Sequence, residues 1–339
     1  MTLHPAGSRA VCGWSVAADP VRSPLRRDSA CHDRWVTPNL RGSLYTVMGA
    51  VGYVTNDACI RAATDEGLGV YQALFLRGVA ISSVFIVAAR VGGVSVRPST
   101  LDRRVIQRAL FEMVSVAMFF AGLVHLDFAN AQTILMITPF AVTVTAAIVL
   151  KERVSPLRYL AVVAGFVGVL LVVRPATDGF SAWSLIIVGS AALLLAREFA
   201  TRSVPAAVPA VPIALVTALG VVALTGVLSL LGGWQRPTGR GVLLLAGSCV
   251  AVIVGYVFAI KSVRTGDLSV TAPFRYTALV WAVLVGRVAF SERMDALGLI
   301  GCGVIIAAGI ASAQLERRER KTFAGLCVDG SVAPSVGNR

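Results

Sequence analysis

The sequence predicts an all-α integral membrane protein with ten transmembrane helices, arranged as two inverted five-helix repeats. Three observations predict it: an apolar composition, a series of apolar runs of similar length, and an uneven placement of Lys and Arg between them. Of 339 residues, 56% are hydrophobic and 14% charged, with a mean hydropathy of +0.77. A soluble domain carries about 25% charged residues. Folding alone cannot hide so much apolar surface from water, so lipid must solvate it, and the bilayer becomes an expected partner.

The runs fall at 44–60, 70–89, 109–126, 131–150 and 156–173 in the first half, and at 182–200, 208–231, 241–260, 269–290 and 296–313 in the second. Each is near the roughly 20 residues that cross the hydrocarbon. The organisation expected is therefore a disordered cytoplasmic N-tail over 1–42, repeats over 43–174 and 181–315, and a cytoplasmic C-tail over 316–339. The N-tail carries Pro5, Pro20, Pro24, Arg22, Arg26 and Arg27 and lacks the apolar core of a signal peptide.

The chain has 31 Lys and Arg against 18 Asp and Glu, a net charge of +13. With the amino terminus inside, alternate loops collect Arg90, Arg97, Arg103, Arg104 and Arg108, then Lys151, Arg153 and Arg158, then Arg197, Arg202, Lys261 and Arg264, and finally residues 317–321. The opposite side holds Arg61, Arg174, Arg236, Arg240, Arg287 and Arg293. Because short cytoplasmic loops retain positive charge, both termini are expected in the cytoplasm. Basic residues spread over loops do not form a nucleic-acid face, so no nucleic acid is expected.

Five helices per half bring the second half into the bilayer from the opposite side. At an offset of 140 residues, Glu152 and Arg153 fall on Glu292 and Arg293, and Leu157 on Leu297. Pro139 in the fourth run and Pro273 near the start of the ninth each remove a backbone hydrogen bond. Helices broken at comparable places in two repeats point to a binding site, because the freed carbonyls need a cavity or protein partner; a packing kink is the alternative.

Six cysteines lie scattered without a CxxC, and no His has metal-ligand spacing. No disulfide framework, metal site or cofactor is expected. The nucleophile-elbow, zincin, P-loop and dinucleotide motifs are missing, so there are no catalytic candidates. A membrane-embedded enzyme acting on a lipid-like substrate is the rival reading, but it would need clustered acidic or His residues. A membrane scaffold would need longer loops.

Ionisable groups inside spans cost about 2.5–3.5 kcal/mol at a helix centre, so each needs a reason. Candidates for substrate binding or coupling are Asn56 and Asp57 in the first run, Arg77 in the second, Glu112 in the third and Gln132 in the fourth, with Tyr256, Arg275, Tyr276 and Trp281 in the second half. Asp57 or Glu112 would be the coupling carboxylate and Arg275 an anion ligand; the aromatics would stack a planar or cationic solute. Arg77 is expected either to snorkel outward or to salt-bridge Asp57 across the first two helices, the pair then gating the outer vestibule. The bland alternatives are interfacial pairs of Asp57 with Arg61 and Glu112 with Arg108. Glu292 is expected to pair with a nearby Arg or to cap the following helix. Gly298, Gly301 and Gly303 offer a face for close helix packing or a homodimer.

Several segments together resemble the EamA-type drug/metabolite transporters. They are Val149-Leu150-Lys151-Glu152-Arg153 followed by Gly165 and Gly168, and Ala272-Pro273-Phe274-Arg275-Tyr276. Ala289-Phe290-Ser291-Glu292-Arg293 ahead of Gly298, Gly301 and Gly303 completes the pattern. Asn56-Asp57, Arg77 and Ala196-Arg197-Glu198-Phe199-Ala200-Thr201-Arg202 are further likenesses. The resemblance runs from about Ser43 to Leu315. It implies a secondary transporter of a small metabolite or drug-like solute in the bacterial cytoplasmic membrane. Alternating access around a cavity lined by both repeats, driven by a proton or a counter-substrate, would be its mechanism.

Overall fold

The computed structural model describes residues 25–91, 102–149, 151, 154–174, 181–205, 208, 210–265 and 268–328. Arg97, Glu152, Arg153 and the expected N-tail before residue 25 lie outside these. The first half holds α1 (Leu25–Asp65), α2 (Val70–Val91), α3 (Arg103–Leu123), α4 (Phe128–Leu135), α5 (Ile137–Val149) and α6 (Pro156–Val173). The second holds α7 (Ala182–Ser203), α8 (Ala210–Gly232), α9 (Gly239–Thr265), α10 (Leu268–Thr271), a 3-10 turn (Ala272–Tyr276), α11 (Thr277–Ala289) and α12 (Ala296–Val328). There is no strand among the described residues. Among the described residues, eight stretches are long and apolar enough to cross a membrane, with α4 and α5 together forming one of them.

Two boundaries depart from the sequence expectation. Residues 25–42, read from composition as disordered tail, are helical and continuous with the apolar part of α1, across Pro38. Residues 316–328, read as C-tail, likewise prolong α12. Arg158 fastens that extension, reaching Glu316 at 2.8 Å and Glu319 at 3.4 Å.

The fourth and ninth runs are interrupted. Pro139 lacks an N–H, and its ring collides with the carbonyl four residues back, at Leu135, the last residue of α4. The helix stops there and restarts at Ile137. In the ninth run Pro273 sits in the first turn of the 3-10 segment between α10 and α11.

Helix pairing is close where glycines line it. In α1 and α9, Gly52 lies directly against the backbone of Gly255, and Thr46 and Ser262 hydroxyls meet at 2.5 Å. Between α3 and α7, Ser115 and Ser190 each donate to the other's carbonyl at 2.9 Å. In α6 and α12, Gly168 and Gly301 face each other's carbonyls. Gly301 thus serves packing within the chain, whereas Gly303 meets nothing.

The pairs α1 with α9, α2 with α9 and α1 with α11 have counterparts in α7 with α3, α8 with α3 and α7 with α4. The pairs α2 with α8 and α6 with α12 join matching positions of the two halves. Local backbone repeats at the offset of 140: Lys151 and Ser291 both take positive φ, 52° and 55°. Four residues on, Ser155 caps α6 through Arg158 N, and Asp295 caps α12 through Gly298 N.

Candidate functional site

Asn56 is the hub of a buried polar cluster. Its carbonyl oxygen accepts from Arg77 Nη1 at 3.0 Å and from Ser248 Oγ at 2.7 Å, and its amide donates to Asp57 Oδ1 at 2.9 Å. Gln132 Nε2 donates to the other carboxylate oxygen of Asp57 at 2.8 Å. Four elements therefore meet here: α1, α2, α4 and α9. Arg77 also lies over the Phe120 ring of α3, 5.5 Å from its centre, while its Nε is buried without a partner. Next to the hub, Trp281 Nε1 of α11 donates to Thr55 Oγ1 at 3.1 Å.

This geometry corrects two sequence expectations. Asp57 and Arg77 form no direct ion pair; Asn56 stands between them and bonds both, because an amide presents a donor and an acceptor at once. Nor does Arg61 pair with Asp57. It turns away to the carbonyls of Leu123, at 2.8 Å, and Leu126, and lies 3.7 Å from Glu292.

Glu292 does not cap the helix that follows it, a task Asp295 performs. Its carboxylate instead accepts Phe128 N at 2.7 Å and Ala129 N at 3.3 Å, capping α4 from the other half of the chain. Asp127, at the usual capping position of α4, makes no such bond. Gly286 makes room, since a methyl there would sit 2.7 Å from Glu292 Oε2.

Burial pushes the Glu292 carboxyl above its ordinary value, against the downward pull of the two α4 amides and Arg61. The penalty on its charged form is absent below the ordinary carboxylate range and complete above the raised value. Stability is therefore expected to fall as pH rises through that window. Exposed Asp295 acts in the opposite sense, because its hydrogen bond to Arg174 lowers its carboxyl. Melting temperature measured against pH for the wild type and Glu292→Ala isolates the Glu292 contribution as a difference; equal slopes would refute it.

A second charged group links α3 and α7 toward the end where α3 begins. Glu112 pairs with Arg108 at 3.1 Å, its sequence neighbour by one turn, and with Arg197 at 3.2 Å; Arg197 also contacts Glu198. Arg108 further reaches Thr217 at 2.7 Å. Glu112, Arg197 and Arg275 lie within electrostatic reach of Tyr53, and Glu112 and Arg197 within reach of Tyr256. Tyr53, Tyr256 and Arg275 are exposed. Tyr256 meets Phe85 edge-on at 5.5 Å.

Tyr276 is buried, its ring against Phe140 and over Gly309, which is a packing position. Between α2, α3, α7 and α8 lies a separate cleft of about 420 Å³, lined by Tyr71, Val114, Met118, Trp183, Ile186 and Leu228. No group of His, Cys, Asp and Glu suited to a metal occurs among the described residues.

Sequence reasoning missed Ser248, Thr55, Tyr53 and Arg197 as site residues. A serine or threonine in a span is too common to stand out. Arg197 was counted as a loop charge, though its position within an apolar run is the signal that would have found it.

Residues 40–174 match the EamA-like transporter family. The riboflavin transporter of Rhizobium johnstonii is 29% identical over 221 residues, covering 64% of this chain and 72% of its own. The pseudopaline exporter of Pseudomonas aeruginosa is 22% identical over 280 residues, covering 81% and 97%. A solved crystal structure at 18% identity superposes with a TM-score of 0.60 over 81% of this chain and 99% of its own, which shows the fold. Apolar helices and transporter relatives together define a multi-pass membrane protein of the small-molecule transporter class. Residues 40–174 therefore carry an EamA-like transporter domain, and these relatives support the likeness of the chain to EamA-type drug/metabolite transporters.

Proposed function

We propose that the chain is a secondary transporter that moves a small solute across the bacterial cytoplasmic membrane by alternating access, within ten spans built as two inverted repeats. The observation that carries this is the Asn56 cluster. Two ionisable groups, Asp57 and Arg77, joined through Asn56 in a polar network drawn from four helices, beside a helix broken at Pro139, are what a transport site requires and what a scaffold does not. The exchangeable helix pairs, the shared positive φ at Lys151 and Ser291 and the matching caps support the repeat. The Lys and Arg distribution supports cytoplasmic termini.

Riboflavin is the first substrate to test, because the Rhizobium johnstonii relative bears that name. Exposed Tyr53 and Tyr256 suit a planar ring system, and the Arg197, Glu112 and Arg275 groups nearby suit its polar periphery. Asp57 is the coupling carboxylate in this reading, with its proton exchanged as Gln132 leaves and returns. Purified protein in proteoliposomes is expected to show saturable riboflavin uptake that responds to an imposed pH gradient and is lost in Asp57→Asn. Uptake equal to that of empty liposomes for riboflavin and a broader metabolite panel, from correctly folded protein, would end the transport reading.

A further inference from the structure

We infer that Arg61 and Glu292 form a latch that holds the half-helix α4 against the second half of the chain, and that its release opens the way to the Asn56 cluster from the end where Glu292 sits. Helix α4 has only eight residues and is cut from α5 at Met136, so it can swing as a unit. Both of its turns are held by side chains from elsewhere. Glu292 takes Phe128 N and Ala129 N in the first turn, and Asp57 takes Gln132 in the second.

Arg61, one turn beyond Asp57 on α1, binds the Leu123 and Leu126 carbonyls in the turn that leads into α4, and it lies over the Phe290 ring at 5.1 Å. The Phe128 and Phe290 rings meet at 5.4 Å beside it. One guanidinium thus ties α1, the α3–α4 turn and Glu292 together, and with Asp127 making no cap bond the first turn of α4 is capped by Glu292. The state described here is latched at this end.

The structure contains its own reporter. Cys302 of α12 is buried, with Thr133 Oγ1 of α4 at 4.0 Å and Met294 Sδ at 3.6 Å. When α4 moves away, Cys302 becomes reachable, while Cys249 of α9 has no such cover from α4.

The inference rests on the transport reading, but its main readout needs no substrate. Full-length protein in oriented vesicles would be treated from each side with a membrane-impermeant methanethiosulfonate, and modification read peptide by peptide. Glu292→Ala and Arg61→Ala are each expected to raise the rate at Cys302 about fivefold, as losing one helix cap would shift the open population. The increase should appear from the Glu292 side alone and leave Cys249 unchanged. A Phe128→Cys, Phe290→Cys pair, oxidised to a disulfide, should stop riboflavin uptake and release it on reduction, which reads the same latch if the alanine variants do not fold. Wild-type protection of Cys302 in folded alanine variants, or full uptake by the cross-linked pair, would overturn the latch. Absence of uptake in the wild type would instead count against the transport reading and leave the labelling result standing.

Discussion

Gly52→Ala is expected to lower the melting temperature of the purified protein more than any other single methyl addition in the bundle. The added carbon would lie 2.6 Å from Gly255 N, 2.7 Å from Gly255 Cα and 2.8 Å from Ala251 O. All three are backbone atoms of α9, so relief requires the two helices to part along their length. Overpacking of this kind costs about 1–3 kcal/mol when side chains can give way, and here they cannot. Gly309→Ala meets a shorter contact, 2.2 Å, but with a side chain, the Tyr276 ring, and not with the backbone of a second helix. Gly303→Ala meets nothing and serves as the control, expected within about 0.5 kcal/mol of wild type. Because Asn56 lies one turn beyond Gly52 and bonds Ser248 across the same interface at 2.7 Å, uptake should fall together with stability. Equal melting temperatures for the 52 and 303 variants would disprove the backbone contact.

Asn56→Leu should have the largest effect on transport. It removes the acceptor shared by Arg77 and Ser248 and the amide that holds Asp57. Arg77, whose Nε already lacks a partner, would be left without a hydrogen-bonded acceptor. A buried group stranded this way costs about 1–3 kcal/mol, and a charged one more, so uptake is expected to drop at least about tenfold. Ser248→Ala, by contrast, removes one neutral donor and leaves the charged groups connected. Its effect should be near 1 kcal/mol or less. The double variant should resemble Asn56→Leu alone, because the serine acts only through the asparagine. Additive losses would show that Ser248 contributes by another route.

Much of this site was legible because polar residues are conspicuous in apolar runs. Asn56, Asp57, Arg77 and Gln132 each stand out in their spans, and the structure brings the four into one cluster. What could not be read was the wiring. Opposite charges invite an ion pair on paper, but an amide between them satisfies both without bringing two charges into contact, and nothing in the one-dimensional spacing distinguishes the cases. Arg61 and Glu292 were read as interfacial charges with local partners, since spacing reports only neighbours within a turn. Their real partners lie 62 to 231 residues away. Pro139 and Pro273 located the helix breaks because the missing N–H acts locally. The helical stretch of residues 25–42 was hidden by its prolines and arginines, which composition alone cannot separate from a solvated tail.

The cap on α4 also sets an order of assembly. Phe128 and Glu292 are separated by 164 residues, so at roughly 5–20 residues per second the ribosome needs on the order of 10–30 s to supply the carboxylate after the amide has been made. Throughout that interval the nascent first half holds a short helix with bare amides and an arginine lacking its acidic neighbour. The cap therefore predicts that the amino-terminal half needs its complement to complete α4. Co-expressed halves should mature together, and either fragment alone should be cleared by quality-control proteolysis.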